Sequence, residues 1–378
     1  MPDDKVRSVA DPDRLRVCLV LISGASAKAR GTAGTETLAH QQFARLGSAV
    51  ELDIVTDRDL HPDLMALARS VQRIPVRSVG GLGLFVPRLA RVLARGDYDV
   101  VLSEGPVPVD VMTGLAAAVT GVPHVLRRHV LIRHIAGGRA KRALYAVADR
   151  VPRVLGARYI YLTQAQRAAE GRPARDVVIP NGVDLAHFKP APAAPDRPLT
   201  IGMAAQFIPA KDWPAFLEVA RRLIEAAPGS RVIALGDGPL IDEMIVDAAD
   251  LGLGAAIEFP GNVGDVRPYL ARMDALVLTS RREGLSMSAI EALASGVPVV
   301  TTPTSGADEL VGDGEGGAVV DFQPGAAAAE WVRAQVATVE DREAWRRRAR
   351  ARAEARFDIE DSADRLLATL RARATTGR

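Results

Sequence analysis

Residues 280–300 read Ser-Arg-Arg-Glu-Gly-Leu-Ser-Met-Ser-Ala-Ile-Glu-Ala-Leu-Ala-Ser-Gly-Val-Pro-Val-Val, and this stretch decides the fold. The apolar residues 275–278 that precede it form a candidate strand, and residues 289–294 have the composition of a helix. Gly296 marks the end of that helix, and Pro298 opens a second strand. A strand, a turn, a helix and a second strand within about 25 residues predict a βαβ unit with parallel strands.

The same stretch carries two carboxylates, one in the turn and one in the helix. Glu283 follows the first strand, and Glu291 lies inside the helix with seven residues between the two. A helix N-terminus at the C-terminal edge of a parallel sheet binds anions, because its free N–H groups and its dipole point at the ligand. A nearby carboxylate can accept hydrogen bonds from hydroxyl groups. The combination suits an anionic ligand with a polyhydroxy part, such as a nucleotide sugar.

The length and patterning of the chain predict two domains. A chain of 378 residues is too long for one compact core. Apolar strands alternate with amphipathic helical segments throughout, which predicts an α/β fold of doubly wound, Rossmann-like parallel sheets. The proline-rich segment 190–195 marks the expected boundary, so we predict domains over 1–190 and 191–378 with a ligand cleft between them. The charged helical segment 340–373 ends the chain and can pack back on the first domain.

The predicted elements are short and evenly spread. The strands are expected at 15–22, 50–55, 100–103, 123–126 and 159–162 in the first half, and at 199–204, 231–235, 255–259, 275–278 and 298–302 in the second. Amphipathic helices are expected, among others, at 36–46, 213–226 and 240–251.

Composition and charge narrow the class of protein. The chain is 48% hydrophobic and 25% charged, which is typical of a globular protein. Its single cysteine, Cys18, lies in an apolar run, which allows no intrachain disulfide and fits a buried thiol in a reducing compartment. Residues 1–16 are too polar for a secretory signal, and no run of 18 apolar residues occurs, so a cytoplasmic protein is expected.

The charge is distributed unevenly along the chain. Residues 1–190 hold 27 basic and 18 acidic residues, and the remainder holds 21 and 28. Both an anionic partner of the first half and an ordinary arginine-rich surface fit this asymmetry. Nucleic acid is not expected as a partner.

Four further turns follow predicted strands and could bring small or charged residues to a shared edge. They are Gly31-Thr32-Ala33-Gly34-Thr35-Glu36, the segment around Lys211, Gly236-Asp237-Gly238-Pro239, and Gly261-Asn262-Val263. Small residues let a backbone approach a phosphate, and Lys211 could supply a positive charge to a diphosphate. Each turn alone also fits an ordinary strand-to-helix connection, and Lys211 alone also fits a solvated lysine.

His129 follows the strand at 123–126, so it should also lie at the cleft, as a functional or a structural histidine. The six histidines show no paired ligand spacing, and there is no cysteine pair. No metal and no cofactor are therefore expected, with the nucleotide sugar acting as substrate.

With these residues in place, the chain resembles the retaining glycosyltransferases of family 4, which have the two-domain GT-B fold. The most specific part of the resemblance is Glu283-x7-Glu291 together with the following residues 292–300. A second segment is similar to the family's stretch before the interdomain linker: residues 178–190, Val-Ile-Pro-Asn-Gly-Val-Asp-Leu-Ala-His-Phe-Lys-Pro. The resemblance covers nearly the whole chain. It implies a metal-independent hexosyltransferase that moves a sugar from a nucleotide diphosphate to an acceptor hydroxyl with retention of configuration.

The resemblance also implies a role for each matching residue. Lys211, Glu283 and His129 would be the catalytic group, with Lys211 on the diphosphate and the other two near the transferred sugar. Glu291 would hold the ribose. The remaining donor-binding residues would be Gly34, Gln206, Gly236, Asn262, Val263, Gly284, Leu285 and Ser286.

Two positions depart from the family pattern. Gln206 stands where the family usually has an arginine, so one cationic contact is missing or comes from Arg281 or Arg282. Glu104 stands in the segment where the family often has a His-x-His pair. It could bind the acceptor or be a plain surface carboxylate.

Other functions share this architecture. A GT-B-like nucleotide-sugar epimerase, a sugar phosphorylase and a non-catalytic nucleotide-sugar-binding partner all stay open, with glycosyl transfer in cell-surface glycan or glycolipid biosynthesis favoured. The acceptor would be a glycan or a lipid-linked molecule. The helix at 82–95, together with Arg127, Arg128, Arg133, Arg139, Lys141 and Arg142, could contact an anionic membrane peripherally, although an ordinary sheet-covering helix is favoured for 82–95.

Overall fold

The computed structural model describes residues 14–22, 34–75, 79–132, 135, 138–170, 175–192, 197–321, 326–336 and 338–376. These residues form two parallel sheets, one of seven strands ordered β3-β2-β1-β4-β5-β6-β7 and one of six ordered β10-β9-β8-β11-β12-β13. In each sheet the chain runs outward from a central strand in one direction and then restarts beside that strand in the other, as in Rossmann domains. The predicted α/β architecture of two doubly wound domains is confirmed.

The first sheet lies in the first half of the chain and is covered by helices on its faces. Its strands are β1 (Leu15–Leu21), β2 (Val50–Thr56), β3 (Ser70–Arg73), β4 (Val100–Glu104), β5 (His124–Arg128), β6 (Arg158–Tyr161) and β7 (Val177–Val178). The accompanying helices are α1 (Gly34–Leu46), α2 (Pro62–Leu67), α3 (Val79–Gly96), α4 (Val107–Thr120), α5 (Arg139–Ala148), α6 (Arg150–Val154) and α7 (Gln164–Ala169).

The second sheet has the same topology. Its strands are β8 (Thr200–Ala204), β9 (Arg231–Leu235), β10 (Ile257–Gly261), β11 (Ala275–Leu278), β12 (Val299–Thr301) and β13 (Gly317–Val319). The helices of this half are α8 (Trp213–Ala226), α9 (Ile241–Asp250), α10 (Arg267–Leu270), α11 (Met287–Ala294), α12 (Ala307–Val311), α13 (Ala326–Gln335), α14 (Val339–Arg356) and α15 (Ile359–Thr376). In the described part of the chain, no helix has the length and apolar character needed to cross a membrane.

The structure adds three strands that the sequence did not predict. They are β3, β7 and β13, which have four, two and three residues, too few to show the alternation that marks a strand. Strand β10 begins two residues later than expected, because residues 254–256 form a 3-10 turn first. The predicted helical segment at the C-terminus is two helices, since Phe357 and Asp358 interrupt it where Val183 forms a bridge with Asp358.

The last helix, α15, returns to the first domain and packs on α1. Gln42 Nε2 of α1 donates to Ser362 Oγ at 2.8 Å, and Ser362 Oγ donates to the Pro180 carbonyl, also at 2.8 Å. Leu366 and Leu370 are fully buried in the core under the first sheet. The chain therefore crosses between the domains twice, and the second crossing completes a core that began 300 residues earlier in sequence.

Leu366→Ala should destabilise the protein by about 2–5 kcal/mol, because it leaves a cavity in a closed core. Arg365→Ala, one residue away on the exposed face of α15, should change the free energy of unfolding by less than about 0.5 kcal/mol. Urea unfolding followed by circular dichroism measures both. Equal effects of the two substitutions would contradict the packing of α15 on the first domain.

Candidate active site

A cleft of about 600 Å³ lies between the two domains. It is formed at the switch point of the second sheet, where the loops after β8 and β11 leave neighbouring strands in different directions. All twelve residues that the sequence singled out line this cleft: Gly34, His129, Gln206, Lys211, Gly236, Asn262, Val263, Glu283, Gly284, Leu285, Ser286 and Glu291. Gly31, Thr32 and Ala33, from the same predicted turn as Gly34, lie outside the described residues.

Lys211 and Glu283 form an ion pair at the bottom of the cleft. The two residues come from different loops, and each side chain is 18% exposed. Ser280 Oγ also donates to Glu283 Oε2 at 3.1 Å. The sequence predicted that the turns carrying these two charges would meet at one sheet edge, and the fold brings the two side chains into direct contact across 72 residues of chain.

The loop that carries Lys211 is fixed from both sides. Below it, Phe207 and Trp213 stack with ring centroids 3.7 Å apart, and both rings are buried. Beside it, Thr279 Oγ1 donates to the Lys211 carbonyl at 2.9 Å. Asp212 adopts a left-handed conformation, with φ of 54°, that ends the 3-10 turn and starts α8. The ammonium group is therefore presented by a rigid turn.

The N-terminus of α11 opens into the same cleft. Gly284, Leu285 and Ser286 lead into the helix at Met287, and no side chain caps its first turn. Uncapped N–H groups at a helix start are unsatisfied donors that favour an anion. The N-terminus of α1 faces α11, because a Cβ on Gly34 would lie 3.4 Å from Met287 Cγ. Two helix N-termini and one ammonium thus converge on one space.

Gly284 has no room for a side chain. A Cβ at this position would lie 2.0 Å from the His129 carbonyl oxygen, which belongs to the other domain. Gln166 Nε2 donates to the same carbonyl at 3.4 Å. The glycine therefore allows the backbone of the first domain to rest directly against the start of α11.

Glu291 lies on the cleft wall, beyond the first turn of α11. Burial raises the pKa of this carboxyl to about 7. Hydrogen bonds from ligand hydroxyl groups would stabilise the ionised form of this carboxyl group.

His129 is oriented by a buried carboxylate. Its Nε2 lies 3.1 Å from Glu104 Oε2, and Arg127 Nη1 lies 3.1 Å from Glu104 Oε1. Burial alone raises the pKa of Glu104, but Arg127 and His129 outweigh this effect, so the pKa lies below its usual value. Both expectations for Glu104 are wrong: the side chain has no exposed surface, and it neither lines the cleft nor faces solvent.

The expected replacement for the missing arginine is also wrong. Gln206 lines the cleft, but Arg281 is held by Asp212, with Nε to Oδ2 at 2.6 Å, and neither Arg281 nor Arg282 lines the cleft. Among the described lining residues, Lys211 is the only lysine or arginine. A diphosphate in this cleft would depend on that ammonium and on backbone amides.

The far end of the cleft is made by turns after β9 and β10. Gly236 has φ of 131°, and a Cβ there would lie 1.9 Å from the Ala205 carbonyl oxygen, so only glycine fits. Asn262 and Val263 follow β10, and Asp265 Oδ2 accepts a hydrogen bond from Arg267 at 2.8 Å. These turns add the uncharged residues Gly236, Asn262 and Val263 to the lining, together with the carboxylates of Asp237 and Asp265.

Several residues that line the cleft were not predicted from the sequence. Asn181 was noticed only as part of a motif, yet its Nδ2 donates to the Leu285 carbonyl at 2.8 Å and ties the first domain to the start of α11. Thr37, Gln41 and His187 also line the cleft. No sequence motif around these residues indicates a binding role, because α1 and the interdomain segment reach the cleft only in the assembled fold.

The described residues contain no group of three or more histidine, cysteine, aspartate or glutamate side chains placed to hold a metal ion. The donors that converge at the bottom of the cleft are amide N–H groups and an ammonium. Such a set binds phosphate oxygens.

Two family models match consecutive parts of the chain. Residues 32–187 match the model described as Glycosyltransferase Family 4, and residues 186–352 match the model described as Glycosyl transferases group 1. Together they span both domains and the cleft. These two matches indicate a GT-B glycosyltransferase of group 1.

Curated relatives are similar over parts of their length. The lipopolysaccharide core biosynthesis glycosyltransferase LpsE of Rhizobium meliloti is 35% identical over 127 residues, covering 34% of this chain and 36% of LpsE. The GDP-mannose-dependent alpha-(1-6)-phosphatidylinositol monomannoside mannosyltransferase of Mycobacterium tuberculosis is 27% identical over 214 residues, covering 46% and 55%. The chain thus spans about a third to a half of the length of these two relatives.

Solved structures share the complete fold. Anabaena HepE in complex with UDP and glucose has a TM-score of 0.77 at 20% identity, covering 93% of this chain and 99% of HepE. The sucrose-phosphate synthase of Thermosynechococcus elongatus has a TM-score of 0.76 at 20% identity, covering 95% and 99%. These likenesses confirm the predicted GT-B fold.

Lys211→Met should weaken binding of inorganic pyrophosphate about tenfold or more, because it removes a charged hydrogen bond worth about 1.5–3 kcal/mol. The loss of the partly exposed ion pair with Glu283 should cost about 1 kcal/mol of stability. Isothermal titration calorimetry and thermal unfolding measure the two effects. Lys141→Met on the surface of α5 is the control, and equal pyrophosphate affinity of the two variants would remove Lys211 from the anion site.

Proposed function

We propose that this protein is a retaining glycosyltransferase of family 4 that moves a sugar from a nucleotide-diphosphate donor to an acceptor hydroxyl. The observation that carries the proposal is the convergence of Lys211 with two helix N-termini in one interdomain cleft. This arrangement suits a diphosphate leaving group, since amides and an ammonium can neutralise the charge that develops on it. The acceptor is a glycan or a lipid-linked molecule, and the pathway is cell-surface glycan or glycolipid biosynthesis.

The names of similar proteins support this choice of donor. A relative is described as GDP-mannose-dependent, and the HepE structures hold UDP, glucose or UDP-glucose. LpsE is described as a lipopolysaccharide core biosynthesis enzyme, which supports the proposed pathway.

The donor extends along the whole cleft in this proposal. The diphosphate contacts Lys211 and the amides of 284–286, with Gly34 approaching from the other domain and Gln206 at its edge. Glu291 accepts hydrogen bonds from the ribose. The base lies beside Gly236, Asn262 and Val263.

The transferred sugar lies between the domains in this proposal, near Glu283 and His129. The acceptor oxygen attacks the anomeric carbon from the side of the leaving group, the carbon–phosphate-oxygen bond breaks, and a departing phosphate oxygen takes the acceptor proton. A double displacement needs a free carboxylate nucleophile near the anomeric carbon. Such a mechanism uses two carboxylates that flank the bond, and Glu291 is assigned to ribose, so same-face attack fits the arrangement better.

Catalysis then depends on positioning and on charge neutralisation by the protein. Domain closure over the cleft excludes water and limits hydrolysis of the donor. Lys211 and the helix N-termini supply the positive charge, and a chelator should leave the turnover unchanged.

The test begins with a thermal-shift screen against uridine, guanosine and adenosine diphosphate sugars, since a bound ligand raises the melting temperature. The donor selected is then incubated with glycan and lipid-linked acceptors. Proton NMR should show a product with the donor's anomeric configuration, and Lys211→Ala should lower the turnover about tenfold or more. An inverted product would rule out retention, and full turnover by Lys211→Ala would refute the assigned role.

Incubation with donor alone distinguishes the other functions. An epimerase would convert the donor to a second nucleotide sugar without acceptor, and a phosphorylase would require inorganic phosphate. A non-catalytic partner would bind the donor and transfer nothing to any acceptor. Transfer that requires the acceptor is the result that the proposal predicts.

Glu291 makes the affinity for the donor pH-dependent. Because its pKa in the empty cleft is about 7, the affinity for an intact nucleotide sugar should be constant above that pH and fall by up to about tenfold per unit below it. The diphosphate of an intact nucleotide sugar does not titrate in this range. Calorimetric titrations between pH 5 and 8 measure the profile, and Glu291→Gln should flatten it.

The carboxyl group of Glu291 also makes the stability of the folded protein pH-dependent. Its pKa in the folded protein lies above the usual value of 4.5, so its stabilising contribution is complete below pH 4.5 and is lost as the pH rises to about 7. Glu291→Gln should abolish this loss in the ligand-free protein. An unchanged pH profile of both affinity and stability in the variant would contradict the raised pKa.

A further inference from the structure

A buried pair of opposite charges lies directly behind His129. Glu104 ends β4, and Arg127 lies on the paired strand β5. Their side chains are 0% and 1% exposed, and Glu104 Oε1 lies 3.1 Å from Arg127 Nη1. Within the described residues, neither that oxygen nor any of the three guanidinium nitrogens makes a hydrogen bond. Well-packed neutral side chains often stabilise a fold as well as such a pair, so stability alone does not explain these charges.

The next arginine of the same strand is paired differently. Arg128 donates to Asp110 Oδ2 at 3.2 Å and to Asp149 Oδ1, and neither acid lines the cleft. The sequence placed Arg127 and Arg128 at a possible membrane contact, and this expectation is wrong for both because their side chains are buried. Arg133, which was grouped with them, lies outside the described residues.

The second oxygen of Glu104 makes the contact that reaches the cleft. Glu104 Oε2 lies 3.1 Å from His129 Nε2, and the side chain of His129 lines the cleft and is 20% exposed. Nε2 is therefore engaged by a buried group. Within the part of the chain that the structure describes, His129 Nδ1 has no hydrogen-bond partner. Nδ1 is the ring nitrogen that is left for a ligand.

The charge on Arg127 decides which ring nitrogen carries the hydrogen. Burial raises the pKa of Glu104, but Arg127 and His129 outweigh this effect, so the pKa lies below its usual value. An ionised carboxylate accepts hydrogen bonds and donates none. Its partner Nε2 must therefore carry a hydrogen, and in the neutral ring Nδ1 is then an acceptor.

The main chain of His129 is also held in place. Its carbonyl oxygen accepts a hydrogen bond from Gln166 Nε2 at 3.4 Å, and a Cβ on Gly284 would lie 2.0 Å from the same oxygen. With the backbone fixed between the two domains, the remaining freedom of the residue is rotation of its side chain. The contact with Glu104 restricts that rotation.

We propose that Glu104 is a positioning residue of the reaction, and this step rests on the proposed function. Glu104 holds His129 in the Nε2–H form, so that Nδ1 accepts a hydrogen bond from a hydroxyl group of the bound carbohydrate. Arg127 is the counter-ion that keeps Glu104 an acceptor. A hydroxyl group can donate to Nδ1, whereas the oxygens of an ionised diphosphate cannot, so His129 contacts the carbohydrate and not the leaving group.

Glu104→Gln tests the tautomer with little change in shape. The amide oxygen should turn to the Arg127 guanidinium, which only donates, and the amide NH2 should then donate to His129 Nε2. The hydrogen of the ring would move to Nδ1. Nitrogen-15 NMR of the histidine-labelled full chain, at alkaline pH where an imidazole is neutral, distinguishes the two forms. The His129 signals are identified by their loss in His129→Ala.

The wild type should show the Nε2–H form of His129, and Glu104→Gln should show the Nδ1–H form. An Nδ1–H form in the wild type overturns the proposal without any variant. The same form in both proteins overturns it too. The spectrum needs neither donor nor acceptor, so its failure leaves the proposed reaction untouched.

Turnover separates a positioning role from a structural one. Glu104→Gln should lower kcat about tenfold or more, because a misdirected group beside the reacting atoms misplaces the substrate. Its affinity for inorganic pyrophosphate should equal that of the wild type. Asp110→Asn is the matched control, since it removes a buried carboxylate from Arg128 on the same strand. Both variants should lower the melting temperature, and equal losses of kcat in the two would overturn the proposal.

A double-mutant cycle identifies the residue through which Glu104 acts. Added to His129→Ala, Glu104→Gln should lower kcat by less than about twofold, because the ring that it positions is already absent. Losses that multiply in the double variant would contradict the proposal. If Glu104→Gln alone fails to fold, its combination with Arg127→Met replaces it, since that pair leaves no buried charge unpaired. Full turnover by this combination would also overturn the proposal.

Discussion

The site depends on one electrostatic constraint: two helix N-termini and a single ammonium meet between the two domains, and one carboxylate is paired with that ammonium. Lys211 and Glu283 form this ion pair, and each side chain is 18% exposed. In the proposed reaction, a diphosphate with two or more charges competes with Glu283 for the ammonium. Glu283 is then released to accept hydrogen bonds from sugar hydroxyl groups. The two side chains thus bind each other in the structure and both belong to the proposed donor site.

The fold brings Lys211 and Glu283 together through the positions of the loops that carry them. Strands β8 and β11 are neighbours, so the loops that follow them diverge and leave a crevice in which Lys211 and Glu283 meet. The first domain contributes the start of α1 and the backbone of His129, which rests against Gly284 because that residue has no side chain. Asn181 and α15 join the domains on either side of the cleft. A few direct contacts therefore join the two domains beside the residues of the cleft.

The architecture could be predicted from the strand–helix alternation of the sequence, and the twelve cleft residues could be predicted mainly from the resemblance to the family, because its motifs are local in sequence. The partners of those residues could not. Glu104 looked like a surface carboxylate, yet the fold buries it between Arg127 and His129, which are adjacent to it only because β4 and β5 pair. Arg281 looked like a substitute cation, yet Asp212 holds it.

A crystal structure of the protein with its nucleotide sugar bound tests the central claim most directly. The account predicts diphosphate oxygens at about 2.8 Å from Lys211 Nζ and from amide nitrogens of 284–286, with the Lys211–Glu283 contact lengthened or lost and Glu283 facing the sugar. A diphosphate bound elsewhere in the cleft, with the Lys211–Glu283 pair intact, would contradict it.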